Sequence, residues 1–169
     1  MKKSSFSPPR SYLEKHFPML PLALLSCLAF GIVSYGVLLF QKLSVHDDLH
    51  YFFSVGATYS SGRWFLGVLG ELVSLVFGSG HFSTALWHGL LTLVFLGLAE
   101  GIVVSLLELR QKRSVVLACG ILTVFPSICS LLGYAFTAPY YTFGFFLAAL
   151  GVWFSLRKGW GSLDRKSVV

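Results

Sequence analysis

The sequence predicts an all-α, multi-pass membrane protein with four transmembrane helices and an outer interfacial helix. Three observations predict it. Of the 169 residues, 55% are hydrophobic and only 12% are charged, where soluble domains carry about a quarter charged residues. The apolar residues gather in four runs of about the length that crosses a hydrocarbon core of roughly 30 Å. Lysine and arginine sit at the ends of those runs on alternating sides, as the positive-inside rule requires.

Residues 1–16 form a basic cytoplasmic segment holding Lys2, Lys3, Arg10 and Lys15. The first run, about 17–40, reads "FPMLPLALLSCLAFGIVSYGVLLF". It is too long for a cleaved signal and no small-residue cleavage site closes it. "LLSC" is a poor lipoprotein site because Leu25 fits badly there. Residues 41–81 form an outer loop with the interfacial helix. The second run covers about 82–108, and the third, about 114–133, contains Pro126, which a membrane helix tolerates as a kink. The fourth covers about 139–156, so the membrane domain as a whole is 17–163.

Orientation follows from the cations. Lys15 precedes span one, Arg110, Lys112 and Arg113 separate spans two and three, and Arg157 and Lys158 follow span four. The loop after span one has only Lys42 and Arg63, and the turn before span four has none. Both termini are therefore expected on the cytoplasmic side, with the 41–81 loop outside. The basic residues sit scattered at span ends, so nucleic acid is not expected as a partner. Cys27, Cys119 and Cys129 lie in apolar runs without metal spacing and read as packing residues.

The last six residues, "DRKSVV", can be encoded as GAT CGG AAG AGC GTC GTG. That is the start of a common sequencing-adapter oligonucleotide whose next triplet is a stop. Residues 164–169 are therefore expected to be adapter read-through on a gene fragment, and are left out of fold reasoning.

One polar island interrupts the chain, "HDDLHYFFSVGATYSSGRW" at 46–64. Asp47 and Asp48 are adjacent, so a regular helix or strand points them apart. They suit separate roles rather than one shared proton. Arg63 is a fixed cationic fork for a phosphate or carboxylate, and Trp64 offers a face on which sugars stack. A plainer assignment stands beside this one: Asp47 caps a helix and Arg63 pairs with Asp48 or Glu71. Read as a helix, the next segment places Arg63, Gly67, Gly70, Glu71, Ser74 and Gly78 on one stripe. Such a helix lies at the membrane surface with that stripe turned to water or to a cavity.

Two further polar residues lie inside span two. Glu100 falls well within the apolar run, where a charge costs roughly 2.5–3.5 kcal/mol at the bilayer centre, so it should face protein or a cavity. It sits in "GLAEG", a small-residue pattern that allows close helix approach. His88 is nearer the outer end and could face an active cavity. Interhelical hydrogen bonding is the favoured reading of both.

The stretch "HDDLHYFFSVGATYSSGRWFLGVLG" resembles the outer loop of the bacterial glucosyltransferase II family, the bactoprenyl-phosphate-dependent transferases of O-antigen modification. "ILTVFPSICSLLGYAFTAPYYTFGFFLAAL" is similar to that family's third and fourth spans. The resemblance covers about 15–156. It implies the N-terminal part of a C-type glycosyltransferase fold, taking a glucosyl or other hexosyl group from a polyprenyl phosphate. The acceptor is a cell-surface polysaccharide on the outer face.

By position, Asp47 and Asp48 match the family's acidic pair and Arg63 its "GR". Asp48 is assigned as general base, with Asp47 beside it binding acceptor or cation. Arg63 is assigned to the phosphate, and Trp64, His46 and His50 to the substrate. His50 stands where the family often has an arginine. The resemblance assigns no certain cofactor and leaves a divalent metal open. Family members are usually several times longer, so this chain is expected to be an inactive N-terminal piece. Two other classes compete: a small four-span translocator of lipid-linked sugar, and a non-enzymatic scaffold assembling through "GLAEG".

Overall fold

The computed structural model describes residues 12–41, 85–134 and 137–163, together with Gly62, Trp64, Gly67, Val68, Glu71, Leu72 and Leu75. Its helices are α1 (Tyr12–His16), α2 (Leu20–Phe40), α3 (Ala85–Leu106), α4 (Lys112–Thr123), α5 (Pro126–Leu132) and α6 (Ala138–Leu163). Among the described residues there is no strand. Each described element is a helix, as apolar runs of spanning length predict.

Among the described residues, three stretches are long and apolar enough to cross a membrane: Leu20–Phe40, Leu86–Leu106 and Ala138–Leu156. At ~1.5 Å per residue, the 21 residues of α2 extend for about 31 Å. Pro21 sits in the first turn of α2, where its missing N–H is one of the donors left over anyway. Large apolar side chains such as Val33, Val37 and Phe40 remain exposed on this helix, which suits a surface solvated by lipid rather than water.

The third span expected over 114–133, with a kink at Pro126, is more sharply divided than a kinked helix. It is two helices, α4 and α5, bent by 53°. Pro126 is the cause. It carries no N–H for the carbonyl four residues back, and its ring pushes Phe125 out of helical geometry, to φ −61° and ψ 139°. Among the described residues, a fourth crossing is obtained if this bent pair counts as one span.

The break leaves backbone carbonyls that lipid cannot satisfy. The Tyr35 hydroxyl on α2 donates to the Thr123 carbonyl at 2.9 Å. The sequence thus builds a kink and its repair on different helices.

α3 is the central helix, with α2 and α4 on one side and α6 on the other. α2 runs antiparallel to it, since Leu39 meets Gly89 near one end and Leu20 meets Gly101 near the other. Gly97 allows the closest backbone approach: a Cβ there would lie 3.2 Å from the Leu24 Cα and 3.1 Å from the Cys27 Cβ. The "GLAEG" glycines are therefore used within the chain, against α2. On the other side α3 meets α6 through rings, with Phe95 and Phe143 centroids 5.0 Å apart. Trp153 of α6 closes that side against Phe17, again at 5.0 Å.

α3 ends in a Schellman motif. The Leu109 N–H donates to the Val104 carbonyl at 3.1 Å and the Glu108 N–H to the Ser105 carbonyl at 3.3 Å. Glu108 occupies the left-handed position, at φ 52°, where glycine is the usual residue.

Candidate functional site

The antiparallel and parallel contacts sort the helix ends. The C-terminus of α2 and the N-termini of α3 and α6 gather at one end of the bundle. The start of α2, the end of α3 and the start of α4 gather at the other, around Ala23, Val104 and Val115. α2 therefore ends, and α3 begins, at the first end, and the polar island lies between them in the sequence. Asp47, Asp48, His46, His50 and Arg63 lie outside the described residues, as do 1–11 and 164–169.

Around that segment a few positions are placed. Gly62 has φ +76°, a left-handed turn that only glycine adopts at no steric cost. After it, Trp64, Gly67, Val68, Glu71, Leu72 and Leu75 are helical. Trp64 and Leu75 are exposed, and Gly67 is buried, so one member of the expected stripe faces inward. His88 lies within the first turn of α3 and is buried, its carbonyl accepting from Thr92 Oγ1 at 2.7 Å. It is the intramembrane polar residue nearest the loop.

Glu100 belongs to a different place. It lies fifteen residues into α3, about 22 Å from the start of the helix at ~1.5 Å per residue. Only 3% of its surface is exposed. Thr123 Oγ1 donates to its Oε1 at 3.0 Å, and the Cys27 and Cys119 side chains neighbour the carboxyl. Among the described residues, Oε2 has no hydrogen-bond partner.

Thr123 is thus a junction. Its hydroxyl holds Glu100 of α3 while its carbonyl holds Tyr35 of α2. The junction sits at the last residue of α4, where Pro126 breaks the helix. Glu100 and Thr123 are both buried, and their bonds brace three helices.

The sequence reading named Glu100 but missed Thr123 and Tyr35. The available signal was Pro126, because a proline in a membrane helix obliges some neighbour to satisfy a freed carbonyl. Which neighbour does so depends on the register of α2 against α4. Among the described residues no group of histidine, cysteine, aspartate and glutamate has the arrangement of a metal site.

The comparison that bears on function is with protein families. The profile of the glucosyl transferase GtrII family matches residues 36–163, from within α2 to the end of α6. The chain belongs to that family. The matched stretch contains the whole polar island, α3 with Glu100, and the broken α4–α5 pair. Comparison with curated proteins and with solved structures returned no match. GtrII membership implies a glycosyltransferase activity, with a sugar donor and an acceptor.

Proposed function

We propose that this GtrII-family protein transfers a glucosyl group from a polyprenyl phosphate to a polysaccharide acceptor. The transfer takes place on the outer face of the bacterial inner membrane, in a C-type glycosyltransferase fold. The observation that carries the reading is the family match across 36–163, which includes an acid pair, an arginine and a tryptophan within one polar island. In the sequence the island lies between the end of α2 and the start of α3, and those helix ends are opposite Lys15, Arg110 and Lys112, which supports an outside location for it.

Each role follows from the reaction. The acceptor hydroxyl loses a proton as it attacks the anomeric carbon, and Asp48 takes that proton. Asp47 holds the acceptor or a cation beside it. The anomeric C–O bond to the lipid phosphate breaks, and the phosphate leaves with greater negative charge, which Arg63 stabilises as it develops. Trp64 stacks on a sugar ring, and His46 and His50 hydrogen-bond substrate hydroxyls. α2, α3 and the helical positions from Trp64 to Leu75 supply apolar walls for the lipid chain.

The bundle bears on the scaffold alternative. Gly97 and Gly101 already receive Leu24 and Leu20 of α2, so the surface that self-assembly through "GLAEG" needs is occupied.

The test uses the source gene read to its genomic stop, expressed in membranes that hold glucosyl polyprenyl phosphate. Labelled glucose appearing on polysaccharide is the readout. Asp48→Asn is expected to lower kcat by about 10²–10⁴-fold. Transfer that persists undiminished in both Asp47→Asn and Asp48→Asn would overturn the assignment of the base.

A further inference from the structure

At the end of the bundle away from the polar island, a cavity of about 710 Å³ opens between α1, the start of α2 and the turn after α3. Its walls carry Glu14, Lys15, His16, Glu108 and Arg110, over an apolar floor that includes Leu109. Both signs of charge face one space. Among the described residues, Lys15, Glu108 and Arg110 form no ion pair with one another.

The depth of the cavity is fixed by the spans beside it. The apolar stretches begin at Leu20 and end at Leu106, and the charged wall residues lie two to six positions beyond those limits. A ring of charge just outside a hydrocarbon-length helix sits at the level of lipid headgroups. A ligand that reaches this level without leaving the membrane is a lipid.

The backbone narrows the chemistry. Glu108 holds the left-handed position of the Schellman motif, where glycine would be free of the Cβ clash. A carboxylate there is kept against the conformational preference of its own residue. A purely anionic headgroup would meet Glu14 and Glu108, and a purely cationic one would meet Lys15 and Arg110. A group carrying both charges meets neither obstacle.

We propose that this cavity binds the headgroup of a phospholipid bearing a phosphate diester and a primary ammonium, as in phosphatidylethanolamine. Lys15 and Arg110 take the phosphate, Arg110 through its planar fork. Glu108 takes the ammonium, whose three N–H donors also reach backbone carbonyls at the exposed end of α3. The site is separate from the transfer chemistry and stands whether or not the assignment of Asp48 holds.

The experiment is native mass spectrometry of the full 169-residue chain released from micelles. Equal amounts of phosphatidylethanolamine, phosphatidylcholine and phosphatidylglycerol of matched acyl chains are present. The ethanolamine lipid is expected to be retained over the other two by about threefold or more, the scale of one exposed ion pair. The choline lipid keeps the charge but has no N–H donors, so it separates hydrogen bonding from charge alone.

Glu108→Gly is the decisive variant, because it relieves the backbone and is expected to raise the unfolding midpoint. It should nonetheless erase the preference for ethanolamine over glycerol headgroups. Arg110→Ala should reduce retention of all three. Equal retention by the unaltered chain, or an intact ethanolamine preference in Glu108→Gly, overturns the proposal. Displacement of the bound lipid by water-soluble glycerophosphoethanolamine at the same concentration overturns its assignment to a lipid.

Discussion

The two faces of α3 pack by opposite means. Toward α2 it presents Gly89, Gly97 and Gly101, and the partner's side chains enter the space a Cβ would occupy. Toward α6 it presents Phe95, which meets Phe143 at 5.0 Å and Phe146 at 6.4 Å between centroids. In a bilayer the lipid tails are as apolar as the helices, so burying hydrocarbon gives little net drive. What holds two helices together is contact density, and these faces reach it by subtraction and by addition. The subtractive face brings backbones close enough for side chains to bond across, and the polar brace of Glu100, Thr123 and Tyr35 lies on that side. The aromatic face is built instead on rings, with Phe143 and Phe146 of α6 both set against Phe95.

That contrast can be broken experimentally. Gly97→Val should have the largest effect, because its Cβ would meet the Leu24 backbone 3.2 Å away, which cannot yield as a side-chain tip can. A loss of about 3 kcal/mol in unfolding free energy is expected, at the upper end for an overpacked interface. Unfolding in mixed micelles measures it, and a near-neutral result would show that the α2–α3 approach is looser than described.

Phe95→Ala should cost less, about 1–2 kcal/mol, from ring contacts worth about 0.5–1.5 kcal/mol each. The same assay should then show α6 proteolysed sooner than α2, since only the aromatic face is weakened. The smallest effect is expected at the brace. A double-mutant cycle of Thr123→Val with Glu100→Ala should give a coupling near 0.6 kcal/mol, the usual size for a hydrogen bond between membrane helices. A coupling of zero would remove the brace from the account of how the three helices are held.

Much of the architecture was legible in the residues. α2 and α6 fall where the first and fourth apolar runs place them, and α3 lies inside the second. The resemblance read from the polar island and the later spans agrees with the family match over 36–163. The third run was legible as apolar and as containing Pro126, but not as a 53° break. The size of a kink depends on whether neighbours satisfy the freed carbonyls, and those neighbours are distant in sequence. Glu108 gave no signal at all, since its place in the left-handed region follows from where α3 stops.

The sequence by itself determined the apolar, membrane-like class, the positions of three spans and the family, and it supplies the residues to which the transfer chemistry is assigned. These depend on composition, length and local pattern, which neighbours along the chain supply. The tertiary structure alone decided which face of α3 meets α2, that "GLAEG" is used within the chain, that Tyr35 repairs the carbonyl at the Pro126 break, and that Lys15, Glu108 and Arg110 share a cavity. The reason is physical. In lipid, apolar pattern drives a helix into the membrane without choosing its partner, so rotation and register are set by close packing and a few buried hydrogen bonds between residues up to 88 positions apart.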